Sequence, residues 1–187
     1  FWENRVEKNR DKIFLYYEDE ELSYGDFDAR VNQTANGFLE MGVEKGDRVC
    51  LMLPNIPEFL YSWFALSKIG GVMVPINIGF RVKEARYVIN HSEAKGLVTC
   101  PEYLQIALEV NRDSPHLEWI VCVGGDNLPA EVISYAQLVS GMPTTLKDVH
   151  LDDEDLACIL YTSGTTGFPK GVMHVHKDLT MTGEAFL

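Results

Sequence analysis

Val49-Cys-Leu-Met-Leu53 and Val72-Met-Val-Pro-Ile76 are two short apolar runs, and the stretch between them decides the fold. A continuous run of this kind suits a strand covered on both faces. Between the two, Asn55 and Pro57 introduce a segment with apolar residues at Phe59, Leu60, Trp63, Phe64, Leu66 and Ile69, close to helical spacing. Gly70-Gly71 then ends it. Strand, helix and strand in succession predict parallel strands joined by a right-handed crossover.

The same alternation continues outward. Toward the C-terminus, Lys83 to His91 reads as a helix, Gly96 to Cys100 as a strand and Glu102 to Arg112 as a helix. Trp119 to Val123 reads as a strand, and a short helix over Ser134 to Ser140 follows. Toward the N-terminus, Ile13 to Tyr17 and Leu22 to Tyr24 flank an acidic turn, Glu18 to Glu21, as a small hairpin does. Ser23 with Asp26 three residues on predicts a helix start. Phe27, Val31, Ala35, Phe38 and Leu39 then form one stripe, and Gly42 is placed to end that helix. The fold class is therefore α/β, a mainly parallel sheet with helices on both faces. In such open sheets ligands bind where loops leave the carboxyl ends of the strands. Gly141 to Asp155 has little periodicity and reads as a surface connection. It divides an α/β subdomain, 1–155, from a loop-bearing hairpin and the start of a next subdomain, 156–187.

Composition narrows the function classes. Acidic residues outnumber basic ones, 28 to 16, for a net charge of −12. A field of that sign opposes docking on nucleic-acid phosphates or anionic lipid, so an anionic substrate must be held by local cations and backbone amides. Cys50, Cys100, Cys122 and Cys158 are widely spaced, lack a C-x-x-C pair and lie in or beside strand-like runs. They read as reduced, buried thiols of a cytoplasmic protein. No apolar run is long enough to span a bilayer, and no signal peptide is visible. Asn32-Gln-Thr34 and Asn90-His-Ser92 match the glycosylation pattern but fall within helical stretches. The chain begins at Phe1-Trp2 and stops at Leu187 inside a helical segment, which reads as an excerpt of a longer protein.

Chemistry concentrates after the connection. Leu156 to Tyr161 and Val172 to His176 are β-like, and they bracket Thr162-Ser-Gly-Thr-Thr-Gly-Phe-Pro-Lys-Gly171. Glycines let backbone N–H groups approach a polyphosphate closely and turn successive amides inward. Thr162, Ser163, Thr165 and Thr166 add hydroxyls around Gly164 and Gly167, and Lys170 supplies a compensating charge. Pro169 stiffens the turn that presents the lysine. A flexible linker of the same composition would not sit between two strongly apolar strands and end in Pro-Lys-Gly. The Walker pattern G-x-x-x-x-G-K-[ST] is absent: Lys170 follows Phe168-Pro169, Gly171 stands at the hydroxyl position, and the continuation is strand-like.

Tyr161-Thr-Ser-Gly-Thr-Thr-Gly-Phe-Pro-Lys-Gly-Val172 resembles the signature loop of adenylate-forming enzymes, which include acyl-CoA synthetases, peptide-synthetase adenylation domains and luciferases. Leu22-Ser-Tyr24, Gly46-Asp-Arg-Val49, Pro54-Asn-Ile-Pro-Glu58 and Lys68-Ile-Gly-Gly-Val-Met-Val-Pro-Ile-Asn77 resemble further family elements in order. Asn77, where peptide-synthetase domains usually carry aspartate, aligns the chain with acyl-CoA ligases, and Trp63 to Asn77 is similar to ligases for carnitine-type, medium-chain or long-chain acids.

The resemblance implies ATP-dependent activation of a small-molecule carboxylic acid to an acyl-adenylate, then thioester formation with CoA. It implies that Thr162, Ser163, Gly164, Thr165, Thr166, Gly167 and Lys170 bind the nucleotide, that Lys170 acts in catalysis and that Thr162 lies near magnesium. A carrier-loading adenylation domain and a non-catalytic nucleotide-binding module remain open as alternatives, as does a homodimer. The family's magnesium glutamate, ribose-binding aspartate, hinge and late catalytic lysine are not in this chain, so residues 1–187 alone are expected to lack ligase activity.

Other residues have plainer readings. His174 and His176 are two apart and would share a face of a strand, as a metal pair could, but no third ligand is apparent. Asp178 could cap a last helix running from Leu179. Trp63 and Phe64 have the spacing of core residues before that of an acyl pocket, and Glu18 to Glu21 and Asp152 to Asp155 read as solvated turns. Lys45, Arg48 and Lys68 are scattered and carry no assigned chemistry.

Overall fold

The computed structural model of the chain describes residues 2–162 and 169–185. A first helix, α1 (Trp2–Asn9), leads into a separate two-stranded antiparallel hairpin, β1 (Ile13–Tyr17) and β2 (Glu20–Ser23). The acidic turn is tighter than its sequence suggests. Glu18 adopts φ 51° and Glu20 and Glu21 already belong to β2, which starts before Leu22. α2 (Tyr24–Glu40) begins as expected, with the Ser23 hydroxyl accepting from the Asp26 amide. It ends in a Schellman turn: Gly42 has φ 78°, its amide donates to Leu39 O, and the Val43 amide donates to Phe38 O.

The main sheet follows the predicted alternation, with ends moved by a residue or two. Its elements are β3 (Arg48–Met52), α3 (Pro57–Ile69), β4 (Val72–Pro75), α4 (Val82–His91), β5 (Gly96–Thr99), α5 (Pro101–Asn111), β6 (Trp119–Cys122), β7 (Val132–Ser134), α6 (Tyr135–Val139), β8 (Leu156–Thr162), β9 (Lys170–Val175) and α7 (His176–Ala185). The strand order is β7-β6-β5-β3-β4-β8-β9, all parallel except β9, which runs antiparallel to β8. α1, α3 and α6 pack on α2, whereas α4 packs on α5, giving the two helical layers. The chain steps from β3 to β4, crosses back to β5, and returns with β8 beside β4. That reversal puts the carboxyl end of β8 at a place where open α/β sheets leave a crevice.

The core joins both layers to the sheet: Phe27, Phe38, Leu51, Leu66, Ile89, Leu97 and Ile120 are at most 1% exposed. All four cysteines are free and buried, and burial pushes the Cys50 thiol up to about 12. No helix among the described residues is long and apolar enough to cross a membrane.

Two stretches that read as solvated surface are tied down. Asn32, Gln33 and Asn36 of α2 donate to the carbonyls of Thr144, Met142, Pro143 and Thr145, strapping residues 142–145 along the helix. In the acidic run before β8, Asp155 pairs with Lys45 and accepts from the Asp152 amide. The lysine beside it holds the Asp155 carboxyl below its usual range. Arg48 and Lys68 are also structural: Arg48 donates to the carbonyls of Ser92 and Glu93, and Lys68 pairs with Asp28 at 3.0 Å.

Candidate functional site

β8 leaves the core as it advances. Ala157 and Cys158 are buried, Leu160 is 39% exposed, and Thr162 is exposed. Beyond the single register pair Met73–Cys158 with β4, the strand is laddered only to β9, through Ile159–Met173, Leu160–Val172, Tyr161–Gly171 and Thr162–Lys170. Thr162 therefore stands opposite Lys170 at the hairpin mouth. Both are exposed, and Lys170 forms no ion pair among the described residues. Ser163, Gly164, Thr165, Thr166 and Gly167 lie outside the described residues.

Tyr161 and Gly171 pack together at this mouth. A Cβ on Gly171 would stand 2.8 Å from Ile159 Cγ2 and 3.2 Å from Tyr161 Cζ, so the phenol ring occupies the space a side chain would need. Its hydroxyl lies 2.8 Å from Nδ1 of His91, at the end of α4. The sequence places Tyr161 and Gly171 at the ends of the loop and His91 at the end of a helix, and assigns none of them a joint role. The one signal available was the small residue opposite a large aromatic in adjacent β-like runs.

At the base of the hairpin, α7 begins at His176, three residues before the expected Leu179. Asp178 is consequently inside the first turn, and its carboxylate reaches back to the Val175 amide instead of capping a helix that follows it. The His176 and Lys177 amides donate to the carbonyls of Asp155 and Asp153, which satisfies two of the free donors of that helix end. β9 stops at Val175, so His174 and His176 are not two positions of one strand. His174 instead lies 3.7 Å from Asp178. No group of three His, Cys, Asp or Glu residues among those described could hold a metal ion.

An open cleft of about 1310 Å³ borders the hairpin on the face opposite His91. Cys158 and Leu160 line it from β8, Trp63, Phe64 and Lys68 from α3, and Leu179 from α7. Side chains alternate along a strand, so Thr162 and Lys170 project on this same side, one step beyond Leu160. Trp63 and Phe64 both line the cleft and pack against the core. Phe64 stacks edge-on against Phe27 at 5.2 Å.

These features define an open, mainly parallel α/β protein that presents a Thr/Lys hairpin mouth at the carboxyl end of a strand. The chain matches the AMP-binding enzyme family over residues 2–186, and it belongs to that family. It is 37% identical to the crotonobetaine/carnitine–CoA ligases of Salmonella agona and Citrobacter koseri over 97% of its own length and 37% of theirs. The crystal structure of the anthranilate CoA ligase AuaEII in complex with anthranoyl-AMP matches with a TM-score of 0.93 and 30% identity, over 98% of this chain and 35% of that one. The fatty acyl CoA synthetase of Mycobacterium tuberculosis shares the fold, with a TM-score of 0.79 at 24% identity over 96% of this chain and 34% of that one. The chain thus spans a little over a third of the length of the relatives it matches.

Proposed function

We propose that the full-length protein is an acid–thiol ligase that activates a carboxylic acid with ATP and passes the acyl group to CoA. The observation that carries this reading is Thr162 facing Lys170 across the mouth of the hairpin, with Ser163 to Gly167 joining them. The names of similar proteins, crotonobetaine/carnitine–CoA ligase and anthranilate CoA ligase among them, support it. An oxygen of the substrate carboxylate attacks the α-phosphorus of ATP, the bond to the β-phosphate breaks, and pyrophosphate leaves. The sulfur of CoA then attacks the acyl carbonyl, and AMP departs. Lys170 and the loop amides offset the charge that grows on the departing pyrophosphate and align the attack. Magnesium enters with ATP as part of that substrate. Thr162 would add one hydroxyl to the oxygen ligands of that magnesium.

The four free, buried thiols support a reducing, cytoplasmic setting. Residues 1–187 alone are expected to be inactive, because the ribose-binding and late catalytic groups that the family uses are not among them.

The test is carboxylate-dependent exchange of labelled pyrophosphate into ATP by the full-length protein. The acids to supply are crotonobetaine, carnitine, anthranilate and straight-chain acids of several lengths. Exchange with one class, followed by acyl-CoA formation when CoA is added, is the expected result. No exchange with any acid, or transfer only to a phosphopantetheinylated carrier protein, would overturn it.

A further inference from the structure

We propose that His91 is a positioning residue for the hairpin mouth, acting through Tyr161 to fix the Thr162–Lys170 pair against the helical layer. The proposal rests on the reading that this mouth grips ATP, and it names a residue 70 positions upstream that would set how well it does so.

The mechanical need is visible in the sheet. Among the described residues β8 has no ladder to β4 past Cys158, and its register partners there are on β9. A two-stranded ribbon of that kind is weakly held by its backbone alone. Among the described residues, the hydrogen bond from β8 beyond Cys158 to a helix is Tyr161 to His91, at 2.8 Å. The imidazole is itself confined on two sides. Tyr161 meets it edge-on at 5.7 Å and 84°, and Tyr87, one helical turn earlier on α4, stacks on it at 5.2 Å and 27°.

Burial pushes the Tyr161 phenol up to about 12, so it keeps its hydrogen at neutral pH. The phenol oxygen and Nδ1 of His91 share one hydrogen bond whose donor is set by the imidazole tautomer, and the Ser92 hydroxyl at the end of α4 also interacts with the phenol. Gly171 adds to the device, since a Cβ there would press on Ile159 Cγ2 at 2.8 Å and on the phenol ring at 3.2 Å, next to Lys170. A phenylalanine at position 161 would fill the same space but have nothing to fix its tip. The bond that orients the ring is thus separable from the packing that buries it.

The experiment uses the full-length protein and the variants Tyr161→Phe, His91→Ala, His91→Gln and Tyr161→Phe/His91→Ala. Dissociation constants for MgATP come from titration calorimetry, KM values for ATP and acid from the exchange assay, and stability from thermal unfolding. Tyr161→Phe and His91→Ala are each expected to weaken MgATP binding roughly tenfold, the scale of one lost hydrogen bond, with the acid KM unchanged. The double variant is expected to be no worse than either single one, and His91→Gln, whose amide can accept from or donate to the phenol, to recover most of the loss. Unchanged MgATP affinity in Tyr161→Phe overturns the proposal. So does a parallel loss of ATP and acid binding that tracks the loss of thermal stability. A wild-type protein that binds MgATP but runs no carboxylate-dependent exchange sinks the ligase reading instead, and the dissociation constants still decide the role of His91.

Discussion

Trp119 lies across Gly96, its register partner on the neighbouring strand, so closely that a Cβ on Gly96 would stand 2.1 Å from the indole. The indole is pinned from its other side by Phe38, stacked at 5.9 Å, and is only 8% exposed. This contact locks β5 and β6 to the end of α2, a joint between sheet and helical layer.

Gly96→Ala should therefore destabilise the fold by about 1–3 kcal/mol, the usual range for overpacking. Chemical denaturation measures it. The same substitution in a Trp119→Leu background should cost less, because the obstructing ring is gone. Equal costs in the two backgrounds would mean that the indole is not the obstacle.

Thr34 and Tyr135 give a second, asymmetric prediction. Their oxygens are 2.6 Å apart in the buried seam between α2 and α6, and the Thr34 hydroxyl already donates to Arg30 O. The phenol must then be the donor to Thr34, and burial raises its pKa. Tyr135→Phe leaves Thr34 with its own bond intact and should cost about 0.5–1.5 kcal/mol. Thr34→Val strands a buried phenol and should cost about 1–3 kcal/mol. Urea midpoints that reverse this order would contradict the assigned donor.

The alternation of strands and helices was legible because each covered strand is a short, uninterrupted apolar run bounded by turn residues. Val49 to Leu53 and Val72 to Ile76 show this, with ends misplaced by one residue. The missed elements carry little of that signal. α1 has only Trp2 and Val6 as apolar residues among polar ones, and it is held by tertiary contacts. Trp2 packs on Phe64 at 4.9 Å and donates to Asp28. β7 is three residues long, too short for a period to show, and exists because β6 offers it a ladder. The strap at 142–145 is invisible to any periodicity, since its partners are three amide side chains more than a hundred residues upstream.

The reading of the site followed the same division. The two apolar runs around the Thr162 to Gly171 stretch made the β8–β9 hairpin legible, and its glycines, hydroxyls and lysine point to an anion as the expected ligand. Composition could not reveal Tyr161, Gly171 or His91 as one unit, since their meeting depends on the β8–β9 register and on where α4 ends. Asp178 was misread for a local reason. A carboxylate at the third helical position reaches back to the strand amide, and the helix starts three residues before the expected Leu179.

Lys170→Ala in the full-length protein should slow adenylation by about 10²-fold, the scale of removing one group aimed at developing charge. Thioester formation from a supplied acyl-adenylate should change far less, because pyrophosphate has already left. Rapid-quench measurement of the two half-reactions separates them. Equal losses in both would count against a role at the terminal phosphates.

His176 supplies a pH test. Its Nε2 is buried without a hydrogen-bond partner among the described residues, and desolvation lowers its pKa below the ordinary 6.5, with Lys45 acting in the same direction and Asp155 and Asp153 opposing. The unfolded imidazole therefore takes up its proton at a higher pH than the folded one. Between the folded value and 6.5 the unfolded state binds more protons, so stability rises with pH through that window and is fully present above it. Asp155, held below its ordinary 3.8, acts in a separate window at more acid pH, where its contribution is lost as the carboxylate protonates. His176→Gln should consequently flatten the dependence of the urea midpoint on pH just below 6.5 while leaving the separate loss at pH below 3.8 in place. A variant that keeps the wild-type slope in the upper window would show that some group other than His176 carries it.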